Sequence, residues 1–107
     1  MGAEVFGTRS IGKDAHEAFR IAVEQAAWAH GHEGYTGTIA EKDSFTMITL
    51  PEGVNPWEYS EELIKKGDRR IDDKWGPAGC FKGDEILDKD GKGTGTYEFF
   101  FFGWASS

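Results

Sequence analysis

Apolar and polar positions recur along this chain with two periods, and most of the periodic stretches end at a recognisable stop. Over residues 4–11 the spacing is that of a strand: Val5 and Ile11 fall on one parity, Phe6 and Thr8 on the other, and Gly12 ends it. Asp14 then opens a helix. With Glu17 three residues on, it makes a capping-box-like start in which the Asp carboxylate accepts backbone N–H bonds. Ala15, Phe19, Ala22, Val23, Ala26 and His30 recur at three- and four-residue steps as one apolar face. The alanines in and beside that stripe let the helix lie close on a sheet, and Gly31 supplies a left-handed residue after His30. A second stripe, Ala18, Ile21, Gln25 and Trp28, occupies another side of the same helix. Either a loop covers it, or Ile21 and Trp28 meet a subunit or partner, since tryptophan is enriched among interface anchors.

Residues 35–41 and 44–50 are rich in Thr, Ile, Phe and Tyr and read as two strands, joined by a hairpin at Lys42-Asp43. Pro51 stops the second. Asn55-Pro56 opens a second helix with Glu58 at N3. Its period continues through Ser60, Leu63, Ile64, Gly67, Ile71 and Trp75 to the stop at Gly76-Pro77, with Gly67 weakening the middle and inviting a break there. Residues 79–87 and 94–105 form a last strand pair around a polar turn at 88–93. The first six elements match the β-α-β-β-α-β order of ferredoxin-like folds. The expectation is one α+β domain over residues 1–107: an antiparallel sheet with an additional C-terminal strand and two helices on one face.

The final strand contains Phe99-Phe100-Phe101-Phe102. Alternate side chains of a strand point to opposite faces, so Tyr97, Phe99 and Phe101 form one row and Phe100, Phe102 and Trp104 the other. Helices on one face shelter one row. The other would leave an apolar patch on the order of a few hundred Å², which soluble monomers rarely leave bare. A helix-free face covered by a second subunit, a partner protein or a ligand follows. A homo-oligomer comes first, because symmetric dimers are the commonest assembly. A long loop over residues 82–96 is the alternative cover.

Charge narrows the partners. The 107 residues hold 12 basic and 19 acidic side chains, a net of −7. Divided after Val54, the halves carry −4 and −3, so neither is a charged tail. Without a basic excess to displace counterions, direct nucleic-acid binding is not expected. An acidic surface suits solubility or a basic protein partner. A hydrophobic share of 38% excludes disorder as the main state. No apolar run approaches the ~18 residues of a membrane span, and the N-terminus lacks a secretory pattern. The lone Cys80 cannot form an internal disulfide, which points to the cytoplasm.

Candidate chemistry is sparse. His30-Gly31-His32-Glu33 is the densest set of ligating groups, but two histidines without a converging third group fall short of a zinc site, and His30 suits a helix C-terminus. His16-Glu17 lies in the first helical turn, where the positive helix end favours a neutral imidazole fit for a general base. Asp84, Glu85, Asp88 and Asp90 precede Gly91 but lack the spacing of a calcium loop. Gly34-Tyr35-Thr36-Gly37-Thr38 lacks the lysine of a phosphate loop, though Tyr35 can stack on or bond to a ligand. Cys80 sits in an apolar strand as an inert thiol. No nucleophile elbow, Ser-His-Asp order or dinucleotide fingerprint is present, and neither metal nor cofactor is expected.

The segment Gly34-Tyr35-Thr36-Gly37-Thr38-Ile39-Ala40-Glu41-Lys42, within residues 14–42, resembles segments of small uncharacterised bacteriophage and prophage proteins. The resemblance covers about a quarter of the chain and carries no catalytic motif. It implies action by binding, for example to a host defence protein or a small signalling molecule. The reading is a non-catalytic binding module acting as a homo-oligomer, with Ile21, Trp28, Tyr35, Phe100, Phe102 and Trp104 as contact residues. The alternative is a small acid–base enzyme gathering His16, His32, Glu33 and Tyr35.

Overall fold

The structure is a computed structural model and describes residues 2–30 and 34–107. In chain order these form β1 (Ala3–Gly12), α1 (Ala15–His30), a 3₁₀ turn (Ile39–Glu41), β2 (Phe45–Met47), α2 (Pro56–Lys65), β3 (Ala78–Leu87) and β4 (Gly93–Ser106).

Both helices begin where their caps place them. The Asp14 carboxylate accepts the Glu17 N–H at 2.8 Å, and the Glu17 carboxylate accepts the Lys13 N–H at 3.1 Å. Asn55 Oδ1 accepts the N–H groups of Trp57 and Glu58, with Pro56 in the first helical position. The break invited by Gly67 decides the end of α2. Gly67 adopts φ +70°, its N–H returns to the Ile64 carbonyl, and the Asp68 N–H returns to that of Leu63. That is a Schellman closure. Residues 68–77 are therefore turns rather than a continued helix, and Ile71 folds back into the interior.

The expected hairpin over residues 35–50 does not form. Gly34, Tyr35 and Gly37 all hold positive φ, at +82°, +55° and +71°, which no strand accommodates. The Thr38 hydroxyl accepts the Ala40 N–H and caps the 3₁₀ turn, whose Ile39 is fully buried. Of the second expected strand only Phe45–Met47 is extended, and it pairs parallel to β3, Phe45 opposite Ala78 and Met47 opposite Cys80.

The sheet order is β1-β4-β3-β2, with β4 antiparallel to both neighbours. The sheet is mixed, and the element order is β-α-β-α-β-β rather than the ferredoxin-like one. This places the helices. β1 and β2 are parallel and lie at opposite edges, so the chain crosses the sheet one way through α1. From β2 to β3 it returns through α2. Two crossovers of the same hand that move in opposite directions lay their helices on opposite faces.

The core confirms that division. Ala18 and Ala22 of α1 pack with Phe6, Ile39, Ala78, Cys80, Phe99, Phe101 and Ala105. Leu63 of α2 packs with Ile48, Ile71, Phe81, Phe100 and Phe102 on the other side. All four consecutive phenylalanines are buried, Phe100 the least so at 9% exposure. The expected helix-free face is absent, because each row of rings has its own helix. Among the described residues no helix is long and apolar enough to cross a membrane.

Candidate binding site

Phe100 and Phe102 are not contact residues. Phe102 packs on Phe81, ring centroids 4.6 Å apart, and Phe100 meets Trp57 edge-on at 5.3 Å. Trp104, the third member of that row, lies beyond them toward the end of β4 and stays partly exposed. There the chain gathers aromatics that no helix covers. Trp104 and Ala3 line a depression of about 440 Å³ with Asp72, Asp73, Lys74 and Trp75 of the turn before β3. Trp75 is 66% exposed and Tyr35 is 52% exposed. Their rings meet edge-on, centroids 6.4 Å apart and planes at 83°. Lys74 Nζ stands 5.3 Å from the Trp75 ring centroid and donates to the Gly2 carbonyl at 3.2 Å.

Two adjacent residues fix the loops that carry Tyr35 and Trp75. Lys42 is buried, and its ammonium donates to the carbonyls of Asp73 at 3.3 Å, Lys74 at 3.1 Å and Gly76 at 2.9 Å. Burial lowers its pKa, against the pull of the Asp73 carboxylate, which raises it. The Asp73 carboxylate also accepts the Trp75 N–H at 2.9 Å, closing the turn under the indole. On the other side, Glu41 Oε2 accepts the Thr36 hydroxyl at 2.8 Å and the Thr36 N–H at 3.2 Å. Burial alone would raise the Glu41 pKa, but hydrogen bonds to the carboxylate, those of Thr36 the largest, together outweigh it and hold the carboxyl below its ordinary value. The Gly37 N–H donates to the Ser106 carbonyl at 2.8 Å and ties the same loop to the end of β4.

The remaining expected residues are scattered. Ile21 is half-buried on α1, and Trp28, near that helix's C-terminus, is almost wholly exposed. His16 packs its ring on Phe45 at 5.1 Å, whereas the ring partner of Tyr35 is Trp75. His32 and Glu33 lie outside the described residues. Asp88 accepts the N–H groups of Asp90 and Lys92 and closes the β3–β4 turn. Burial pushes the Cys80 thiol up to about 12, too high for a thiolate nucleophile at neutral pH. Among the described residues no three His, Cys, Asp or Glu side chains converge as a metal site would require.

Of the residues expected from the sequence, Tyr35 and Trp104 thus come to the same end of the sheet, and Trp75 joins them. The helical period of the sequence runs through Trp75 and so puts it on a continued second helix. The signal against that was Gly67, followed by the charged stretch before Trp75-Gly76-Pro77. Chemically the cluster can stack on apolar or planar groups, attract cations to ring faces and accept hydrogen bonds at two carboxylates. No protein-family model, curated protein or solved structure matches the chain.

Proposed function

We propose that the protein is a non-catalytic binding module that takes a partner protein on the sheet end formed by Tyr35, Trp75 and Trp104. The observation that carries this reading is the meeting of Tyr35 and Trp75, each more than half exposed, on loops pinned from beneath by Glu41 and Lys42. Rings held rigidly in water lose little entropy on contact, which is what an interface anchor requires. Tyr35 adds weight. It is the sole non-glycine with positive φ among the described residues. A glycine or asparagine would hold φ +55° at lower cost, and backbone strain of this kind concentrates at sites of recognition. The rings lie too open to bury most of a small ligand, which favours a protein surface as occupant. The resemblance to phage proteins implies a host protein in that role.

A peptide-display selection against the immobilised protein tests the reading. Enriched peptides should bind wild type and lose at least about tenfold in affinity on Trp75→Ala or Trp104→Ala, with Trp28→Ala as control. Peptides that bind all three variants alike, or a selection that enriches nothing, would overturn it.

A further inference from the structure

The sheet has two edges, and they differ. At one edge β2 covers only the start of β3. The rest of β3 is protected by its own irregularity: its register against β4 shifts between Lys82 and Glu85 and again between Glu85 and Leu87, and Lys82, Asp84 and Glu85 are charged. Bulges and charges of this kind keep other strands from adding on. The other edge is β1, which has no bulge, and of its two charged residues, Glu4 and Arg9, only Arg9 lies in the outward-bonding row. Its ten residues contain no proline and no lysine, and they pair with β4 in unbroken register from Ala3–Ser106 to Gly12–Tyr97.

The direction of its free hydrogen-bonding groups follows from one pair. Gly2 and Ser107 exchange both backbone bonds, Gly2 N–H to Ser107 O at 3.0 Å and Ser107 N–H to Gly2 O at 3.1 Å. Bonded and non-bonded pairs alternate along an antiparallel ladder, so the even residues of β1 bond to β4. The odd residues Ala3, Val5, Gly7, Arg9 and Ile11 turn their N–H and C=O groups outward, and all five are exposed. No turn, loop or cap bond among the described residues reaches them.

We infer that β1 pairs antiparallel with β1 of a second copy of this chain, joining two four-stranded sheets into one. The occupant is fixed by self-complementarity. A two-fold axis at Thr8 sets Gly7 opposite Arg9 and Val5 opposite Ile11 as hydrogen-bonded pairs, which uses the outward row of both strands. It also lays the two large exposed apolar side chains of β1, Val5 at 50% and Ile11 at 38% exposure, directly against each other across the axis. An unrelated strand would satisfy the backbone but not this match. The inference is independent of the aromatic end and does not require it.

Light scattering after size exclusion should give twice the 11.9 kDa chain mass for wild type and for Trp75→Ala, and the single-chain mass for Val5→Lys/Ile11→Lys with an unchanged circular dichroism spectrum. Wild type that stays single at every concentration overturns the inference. So does a dimer indifferent to the lysines, which would place association elsewhere, the aromatic end included. A cysteine probe covers the case in which the double variant fails to fold. In the stated register the two Thr8 Cα atoms form a non-bonded pair about 4.5 Å apart, within disulfide reach. Thr8→Cys should cross-link into a covalent dimer on mild oxidation, with the buried Cys80 silent. Absence of the cross-link in folded protein overturns the pairing.

Discussion

Lys42 brackets Trp75. Its ammonium bonds to the carbonyls of Asp73 and Lys74 before the tryptophan and of Gly76 after it, so one buried side chain sets the path of the turn that presents the indole. Lys42→Met keeps the aliphatic stem and removes the donors. Three carbonyls then lose their partner, and because the turn is open enough for water to replace some of them, the expected cost is about 2–3 kcal/mol in urea unfolding. The Trp75 indole N–H resonance should move while that of Trp28 stays. Lys42→Arg should not restore wild-type stability, since a planar guanidinium cannot point three donors at one turn in the same way. A Lys42→Met protein as stable as wild type, with Trp75 unmoved, would contradict this account.

Glu41 does the corresponding work for Tyr35, and it does so as an anion. Its pKa is lowered in the folded chain, so its contribution is fully present above the ordinary carboxylate value of about 4.3 and is lost as pH falls through the lower folded value. Glu41→Gln should cost about 1 kcal/mol at neutral pH, the difference between a charged and a neutral acceptor. The gap between the two proteins should narrow as pH falls below the ordinary carboxylate range and close once the lowered folded value has been passed. Asp68, which its hydrogen bonds from Arg70 hold at about 2, titrates in both proteins and cancels in the difference. Denaturation midpoints measured across acid pH check this; a gap that persists at low pH would mean the charge plays no part.

Much of this architecture was legible because its signals are local. Asp14 with Glu17 and Asn55 with Pro56 mark helix starts through hydrogen bonds within a single turn. The alternation of Phe99 to Phe102 divided the rings into the two rows that the core shows, one with α1 and one with α2. What failed was the count of covers. Residues 35–41 have the composition of a strand, but the backbone demanded by Gly34 and Gly37 and the side-chain bonds among Thr36, Thr38 and Glu41 outcompete it. Losing that strand turned a hairpin into a crossover and moved α2 to the opposite face. Phe100 and Phe102 went from expected contact surface to core, and Trp104 escaped only because it lies beyond them in the row. The site could not be read in full, because Trp75 is brought to Tyr35 by bonds from Lys42 that span more than thirty residues.

Tyr35 separates stability from recognition. Tyr35→Gly relieves a left-handed backbone that a side chain occupies at a cost of roughly 1 kcal/mol, while the added freedom of the unfolded glycine takes back a similar amount. The folded state should therefore lose no more than about 0.5 kcal/mol. Binding at the aromatic end should fall all the same, since the ring that meets Trp75 is gone. Urea midpoints together with affinity for a selected peptide make the comparison. A large loss of stability would show that the Tyr35 ring is structural rather than displayed.

The two-sided core makes the sharpest energetic claim. Phe101 is enclosed on the α1 side and Phe102 on the α2 side, and both are fully buried. Truncation to alanine removes the buried ring and leaves a cavity, so Phe101→Ala and Phe102→Ala should each cost about 3–5 kcal/mol. Gly79 shows how closely the second ring is packed. A Cβ built there would lie 2.5 Å from the Phe102 ring, so Gly79→Ala should cost about 1–3 kcal/mol by overpacking. Trp104→Ala, at the exposed end of the same row, should cost clearly less than Phe102→Ala. Chemical denaturation of the four variants decides it. If Phe102→Ala proves as mild as a surface change while Phe101→Ala is severe, α2 does not cover its face, and the aromatic row of Phe100, Phe102 and Trp104 returns as the contact surface.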